Sequence, residues 1–202
     1  MDKNEFFREV TIRICSSLEI EKGLLAALRY IKQFIPVSRM AIERYDEKSG
    51  AMRTIAKANG DRCESVDLLT PLSEKARLLA KSKYKTREKK VYLFDQPEKD
   101  KLAREMLLFH DVKATSLMVL SLQSGDQMIG SLALMSEGPQ KFTADHAELI
   151  TLLSEPFAIA LSNTLKHRNE LKLFDREFFW EVTRRICGNL EIEEGLLDCF
   201  EY

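Results

Sequence analysis

The stretch "SLMVLSLQSGDQMIGSLALM" (residues 116–135) carries the strongest strand pattern in the chain. Two largely apolar runs flank a turn at residues 124–126, where Gly125 can adopt the positive φ that a tight hairpin turn needs. Runs that are apolar at nearly every position are typical of strands covered on both faces. The stretch therefore predicts a β-hairpin inside a sheet that is covered on both sides.

The segments before this hairpin alternate between helical and extended patterns. Apolar residues at helical spacing predict two helices before Pro36, with a break near residues 16–17. "SRMAIERYDEKSGAMRTIAKANG" (residues 38–60) then predicts a second hairpin. Both patterns place helices ahead of the first strands.

The middle of the chain is predicted to form short secondary-structure elements. Residues 61–72 are predicted as extended chain or loop, and Ser73 as the N-cap of a short helix. "VYLFDQP" (residues 91–97) predicts a short strand, and "EKDKLAREMLLFHDV" (residues 98–112) predicts a helix. This excursion, residues 61–112, separates the two hairpins in the chain.

A long helical pattern follows the second hairpin. It begins with Thr143 as N-cap and continues past residue 170 without a glycine or proline linker, with Pro156 expected to bend it. The order of elements predicts an α+β fold: an antiparallel central sheet with the N- and C-terminal helices on one face and short helices and loops on the other.

Composition excludes several classes of function. The 202 residues include 31 basic and 32 acidic side chains, so no net field attracts nucleic acid or an anionic membrane. No apolar run is long enough to span a bilayer, and the charged N-terminus is unlike a signal peptide, so we expect a cytoplasmic protein without membrane or direct nucleic-acid binding. The four cysteines are far apart, without a C-x-x-C pair, and are expected to be reduced structural thiols.

The two ends of the chain repeat each other. "EFFREVTIRICSSLEIEKGLLAALRY" (residues 5–30) and "EFFWEVTRRICGNLEIEEGLLDCFEY" (residues 177–202) are identical at 17 of 26 positions. We therefore expect one domain over residues 1–170, and over residues 171–202 a helical linker with the start of a second, similar domain.

The block from residue 116 to residue 164 resembles the closing part of a GAF domain: a strand, a tight turn, the strand "IGSLAL" (residues 129–134), and a last helix introduced by Phe142 and Asp145. Residues 20–60 resemble the opening of the same family. The repeated opening is similar to sensory GAF domains of bacterial regulators that activate the sigma-54 form of RNA polymerase. The resemblance implies a GAF-like (PAS-like) fold and a sensory role.

In this family small molecules bind between the sheet and the covering excursion. The resemblance thus implies candidate ligand contacts at Tyr92, Phe94, Asp95, Phe109, His110, Ser116 and Met118. Phe94, Phe109 and Met118 also fit core packing, and Asp95 also fits capping of the helix that Pro97 begins. The sequence does not identify the ligand or cofactor.

Particular GAF chemistries fit the sequence poorly. The cyclic-nucleotide signature lacks its Asn-Lys pair, and His146 stands where Glu is expected. Neither Cys15 nor Cys63 has the adjacent His of a bilin attachment site, and Cys63 lacks a resolving partner for sulfoxide reduction. The three histidines are too dispersed for a metal site, and no catalytic residue is assigned.

Two functions remain. The first is a non-catalytic sensor that passes its ligand state through the C-terminal helix to an output domain; the second is a ligand-free dimerisation or interaction module, as in sensor kinases or cyclases. In both we expect a homodimer through the terminal helices, the repeat packing on a partner chain or replacing residues 5–28. The residues predicted for the dimer and signalling helices are Phe6, Val10, Ile14, Phe157, Leu161, Leu165, Phe178, Phe179, Val182 and Ile186.

Overall fold

The computed structural model describes residues 2–85, 91–125 and 127–187. Contacts divide the chain into two compact units, Met1–Thr164 and Leu165–Tyr202. The predicted domain boundary at residue 170 stays a prediction. Residues 188–202, most of the second copy of the repeat, lie outside the described residues.

Six strands form one antiparallel sheet in the first unit. In chain order they are β1 (Arg39–Asp46), β2 (Ala51–Asn59), β3 (Arg62–Thr70), β4 (Val91–Phe94), β5 (Ser116–Ser124) and β6 (Gln127–Ser136). Their order across the sheet is β3-β2-β1-β6-β5-β4. The two hairpins predicted from sequence are confirmed, and β1 of one pairs with β6 of the other at the centre.

Helices cover both faces of this sheet, as predicted. They are α1 (Lys3–Ile14), α2 (Ile20–Ile31), α3 (Glu74–Lys85), α4 (Lys101–Phe109), α5 (Ala144–Thr151) and α6 (Ser154–Cys187), with a 3-10 turn at Pro97–Lys99. The helix α2 packs on β1, β2 and β3, and the start of α6 packs on β6 through Leu161. The opposite face carries α3 and α4, which contact each other.

Two segments differ from the sequence prediction. Residues 62–70, expected as extended chain or loop, form a full edge strand paired with β2. The long terminal helix is interrupted at residues 152–153, so that α5 ends before α6 begins. Pro156 then lies in the first turn of α6, where its missing N–H has no helical partner to lose.

Capping explains where several helices begin. The Ser73 hydroxyl accepts a hydrogen bond from the Ala76 amide at 3.4 Å, and Thr143 forms a capping box with His146. The carboxylate of Asp100, which accepts the Ala103 amide at 2.8 Å, caps α4. The alternative role for Asp95, as cap of the helix that Pro97 begins, is wrong, because Pro97 begins a 3-10 turn whose N-cap position is Gln96.

The terminal helices form the core on their face of the sheet. The side chains of Phe6, Val10, Ile14, Phe157 and Leu161 have no exposed surface. A side chain that is fully buried inside its own domain cannot contact a second chain unless the domain opens. The structure therefore corrects the prediction that these five form a dimer seam.

The remaining predicted dimer positions lie in the second unit. Phe178 and Phe179 are exposed, and Leu165 and Val182 are half-buried; the Ile186 side chain lies outside the described part of the chain. Their role in a dimer stays a prediction. None of the described helices is long and apolar enough to cross a membrane.

Gly23 allows α1 and α2 to meet closely. A Cβ built on this residue would lie 2.5 Å from the carbonyl oxygen of Ile14 and 3.3 Å from that of Arg13. The obstacle is backbone, which cannot rotate away as a side chain can. The glycine is thus required at this contact, although alanine is the better helix former.

We predict that Gly23→Ala destabilises the fold by about 1–3 kcal/mol, the usual cost of overpacking, in urea unfolding. Gly138→Ala is the matched control, because a Cβ there meets nothing within 4 Å, and it should change stability by less than about 0.5 kcal/mol. Equal effects of the two substitutions would contradict this account of the contact between α1 and α2.

Candidate functional site

A cavity of about 150 Å³ lies in the first unit, between the sheet and the two helices α3 and α4. The strand residues that line it come from β1, β2, β4, β5 and β6, and small side chains leave the room. Five alanines line it: Ala41, Ala58, Ala80, Ala103 and Ala133. The cavity is therefore built by the fold's own layers, with α3 and α4 as its cover.

The strand register arranges one part of the cavity floor in two rows that are mostly apolar, with Arg39 at the end of one of them. Across β1, β6, β5 and β4, one row consists of Ala41, Ala133, Val119 and Tyr92. The neighbouring row consists of Arg39, Met135, Leu117 and Phe94. Directly paired residues share a face of the sheet, so each row presents adjacent side chains to the same space.

The next row on the same face is polar. Thr54, Glu43, Ser131 and Ser121 are paired in sequence across β2, β1, β6 and β5, and all four line the cavity. Thr54, Ser131 and Ser121 are each less than 5% exposed, at 1%, 4% and 3%. The floor of the cavity is thus divided into an apolar part and a hydroxyl-rich part that contains one carboxyl group.

Glu43 is the unusual member of this row. Its side chain is half-buried and lines the cavity, and among the described residues its carboxyl group has no hydrogen-bond or ion-pair partner. Burial raises the pKa of this carboxyl from an ordinary value of 4.5 to about 7. At neutral pH the cavity therefore holds a carboxyl group that is balanced between its neutral and charged forms.

Tyr84 packs from α3 beside this row. Its hydroxyl donates to the backbone oxygen of Glu43 at 3.3 Å and lies 3.5 Å from Ser131 Oγ. Burial raises the pKa of the Tyr84 phenol, which keeps it protonated and able to donate. The phenol thus ties the covering helix to the backbone of the polar row, and it donates to the backbone oxygen of Glu43 rather than to its carboxyl group.

The basic side chains of the lining each have an anionic partner. Arg39 pairs with Glu137, and Lys57 lies 3.0 Å from Glu64. Lys83 Nζ lies 3.9 Å from Asp100. These contacts account for the positive charge of the lining without using Glu43.

Lys83 also contacts the aromatic wall. Its Nζ lies 4.9 Å from the ring centroid of Tyr92 and 5.1 Å from that of Phe94, within cation–π range. The lysine is therefore held between Asp100 and the two rings of β4.

His110 closes another side of the cavity. Its Nε2 lies 3.2 Å from Thr54 Oγ1 and 3.3 Å from Thr70 Oγ1. Burial and, to a smaller degree, the charge of Lys57 lower the pKa of the imidazole, so His110 is neutral at pH 7. It is a hydrogen-bonding wall residue without a charge.

Three of the seven predicted ligand residues line this cavity, namely Tyr92, Phe94 and His110. Met118 is fully buried and paired with Leu93 and Leu134, so it lies on the opposite face from Val119. Strand alternation makes this unavoidable, because one step along a strand reverses the face. The predicted placement of Met118 at the site is wrong.

Three further candidates lie outside the lining. Ser116 is fully buried, donates to the Phe94 carbonyl at 3.4 Å and accepts from the Phe142 amide at 3.3 Å, so it joins chain segments. The Phe109 ring is exposed and packs edge-on against His110. Asp95 is exposed and offers its backbone oxygen to Lys141. Ligand binding by Tyr92, Phe94 and His110 stays a prediction.

A sequence model of the GAF domain matches residues 17–162. The chain belongs to the GAF domain family. The match covers the whole sheet and every described helix except α1 and the later part of α6. A sequence search of curated proteins finds no match to this GAF domain.

Solved structures share its fold. The phycoerythrobilin-bound GAF domain from a cyanobacterial phytochrome is 17% identical, with a TM-score of 0.57 over 83% of this chain and 98% of that one. The GAF domain from Acinetobacter phosphoenolpyruvate-protein phosphotransferase is 15% identical, with a TM-score of 0.55 over 82% and 97%. At these identities the likeness establishes the fold alone. Any statement about a ligand has to be argued from the residues of this GAF domain.

The described cysteines of this GAF domain stand apart from the cavity. Cys15 is exposed and Cys63 is half-buried on β3, and neither belongs to the lining. Within residues 2–85, 91–125 and 127–187, no group of three or more His, Cys, Asp or Glu side chains is arranged to hold a metal ion.

Sequence reasoning missed the polar row. Glu43 stands in the strand "RMAIERYD", and a carboxylate within a strand that is otherwise well covered was a usable signal. Ser121 and Ser131 stand in the two strands of the second hairpin and face each other across it. The pairing of β1 with β6, which joins Glu43 to these serines, has no local signal in sequence.

We predict that Ala103→Leu, which adds volume from α4 into the cavity, costs less than about 1 kcal/mol of stability. Ala27→Leu is the matched control on a helix, because Ala27 is fully buried and does not line the cavity; it should cost about 1–3 kcal/mol by overpacking. Urea unfolding measures both. Equal costs would mean that the space beside Ala103 is filled in solution.

A second prediction concerns pH. The folded state raises the pKa of Glu43, so this group stabilises the fold fully below about pH 4.5 and that contribution is lost as pH rises to about 7. Because Gln carries no charge, the free energy of unfolding of Glu43→Gln should not fall over this pH range. Relative to wild type, the variant should gain on the order of 3 kcal/mol of stability between about pH 4.5 and pH 8. Urea unfolding across this range tests it, with the exposed Glu47→Gln as control. A pH-independent difference would contradict the buried position of the carboxyl group.

Proposed function

We propose that this GAF domain is a non-catalytic sensor that binds a small molecule in the cavity between the sheet and α3 and α4, and transmits the bound state through α6. The single observation that carries the proposal is the space between the sheet and α3 and α4, which has an apolar part and a polar row. Pockets of this construction, mostly apolar with a few placed polar groups, are the usual form of ligand sites.

The size of the space limits the ligand. A cavity of about 150 Å³ is comparable to one that accommodates benzene in another protein. This favours a ligand built around one ring or a short chain over a linear tetrapyrrole such as the phycoerythrobilin of the cyanobacterial neighbour. The positions of Cys15 and Cys63 outside the lining agree with a ligand held without a covalent bond.

The start of α6 is attached to the strands of the polar row. Ser154 donates a hydrogen bond to the backbone oxygen of Ser121 at 2.8 Å. A Cβ on Gly130 would lie 2.6 Å from Leu161 Cδ2 and 2.8 Å from the carbonyl oxygen of Glu43, so helix and strands touch behind the row. A ligand that shifts these strands would therefore move the start of α6. Coupling free energies between two sites in one protein are typically about 1–3 kcal/mol.

We further propose that a second GAF domain begins in the later part of α6, within a bacterial transcription regulator of the sigma-54-dependent class. In α1 the side chains of Phe6 and Val10 are fully buried in the first domain. Their counterparts in the repeat are Phe178, which is 63% exposed, and Val182. These apolar residues fit burial in a second domain of the same kind. Such a regulator would be cytoplasmic, and its contact with DNA would lie outside this GAF domain.

A ligand-free dimerisation module is the second candidate. It is favoured by exposed apolar side chains on the terminal helices of the first unit, including Ile12 at 57% and Ile159 at 49% exposed. A second copy of the chain would cover them. In this reading the cavity is an unused packing defect, and dimer formation through the terminal helices carries the function.

We expect wild-type protein purified from a bacterial lysate to retain a small molecule in native mass spectrometry. The bound mass should disappear on denaturation and be absent from Ala103→Leu, which narrows the cavity, while Ala27→Leu retains it. Loss of the bound small molecule from both variants would mean that its binding does not depend on the cavity. An unliganded wild-type dimer, with unchanged amide hydrogen exchange in α6 across a metabolite set, would favour the dimerisation module.

A further inference from the structure

We propose that the ligand is a small organic cation whose protonated nitrogen pairs with Glu43 and whose apolar body lies on Ala41, Ala133 and Val119. This inference rests on the proposed sensory function, because it names the class of molecule that the same cavity would bind. It follows from the distribution of charge and from the shape of the cavity floor.

The charges around the cavity leave one group without a partner. The lining contains three basic side chains, and each is paired with a carboxylate: Arg39 with Glu137, Lys57 with Glu64, and Lys83 with Asp100. The other titratable groups of the lining are the neutral His110 and the phenols of Tyr84 and Tyr92. The Glu43 carboxylate is the group in the described lining whose charge is uncompensated.

An uncompensated carboxylate favours a cation for a physical reason. Burial without a partner is costly, and a bound cation replaces the lost hydration with a charge-assisted hydrogen bond. A bound anion would add repulsion to Glu43, and a neutral ligand would leave the carboxyl group to be protonated. The gain on binding is therefore largest for a ligand that carries a positive nitrogen.

The neighbouring hydroxyls suit the same nitrogen. A primary ammonium group has three N–H donors and no acceptor. Glu43 stands in one row with Thr54 and Ser131, and this row offers a carboxylate flanked by hydroxyl oxygens that can accept hydrogen bonds. The row therefore supplies acceptors for more than one of the donors.

The adjacent row defines the rest of the molecule. Ala41, Ala133 and Val119 lie one step along the same face from Glu43, Ser131 and Ser121 respectively. Two residues along a strand are about 6–7 Å apart, which is close to the length from an amine nitrogen to the far side of an attached ring. Small side chains here leave room for a flat apolar group beside the aromatic wall.

Isothermal titration calorimetry with three simple compounds tests the inference. Benzylamine is the cation, benzyl alcohol is its neutral counterpart of nearly equal size, and benzoate is the anion. Each is titrated into the wild-type chain, Glu43→Gln and Glu47→Gln. Glu43→Gln keeps the shape of the side chain and removes the charge, and Glu47→Gln removes an exposed carboxylate of the β1–β2 turn.

Wild type should bind benzylamine at least about tenfold more tightly than benzyl alcohol at pH 8, with benzoate weakest. Because only the carboxylate form of Glu43 pairs with the cation, affinity for benzylamine should fall by about tenfold between pH 8 and pH 6. In Glu43→Gln the preference and the pH dependence should both disappear, while Glu47→Gln retains them.

Equal binding of benzylamine and benzyl alcohol, unchanged in Glu43→Gln, would overturn the cation assignment and leave the sensor proposal intact. Preference for benzoate would overturn it in the same way. If none of the three compounds binds and wild-type protein from a lysate carries no small molecule, the sensory function itself fails. A bound mass from the lysate that is not a cation would overturn the assignment alone.

Discussion

The pairing of β1 with β6 is the contact on which the rest of this structure depends. It joins the N-terminal hairpin to the C-terminal hairpin and so makes one sheet from two local units. Because side chains alternate along a strand, this register also places Ala41 and Glu43 on the same face of the sheet as Ala133 and Ser131. One face packs against the terminal helices, and the other forms the floor of the cavity. A slip of one residue would bring Ile42 to the cavity face and move Glu43 to the helical face.

The two faces of the sheet pack differently because they carry different side chains. The helical face carries large apolar residues, such as Met118 and Leu120 on β5, which are fully buried. The cavity face mixes small residues such as Ala41, Ala133 and Ser131 with larger ones such as Leu117 and Met135, and it leaves a space of about 150 Å³ below α3 and α4. The tight side holds the fold together, and the loosely filled side has room for another molecule. On this side burial disfavours the charged form of the Glu43 carboxyl group, for which the described residues offer no partner.

The contact behind the polar row gives the cavity a connection to the terminal helix. Ser154 and Leu161 of α6 touch the backbones of β5 and β6 on the face opposite to Ser121 and Ser131. The start of α6 is therefore in direct contact with the two strands that carry Ser121 and Ser131. The same helix continues into the segment that repeats the start of the chain.

The sequence by itself determined the local elements: both hairpins, the capped starts of α3 and α5, and the covered character of β5 and β6. These follow from apolar periodicity, turn residues and capping side chains, which act over a few neighbours. It also led to the GAF family and to Tyr92, Phe94 and His110 of the cavity wall. Only the tertiary structure decided that Met118 and Ser116 lie away from the cavity, and that Thr54, Glu43, Ser131 and Ser121 form one row. That row is set by the register between strands that are far apart in the chain, and no local interaction encodes such a register.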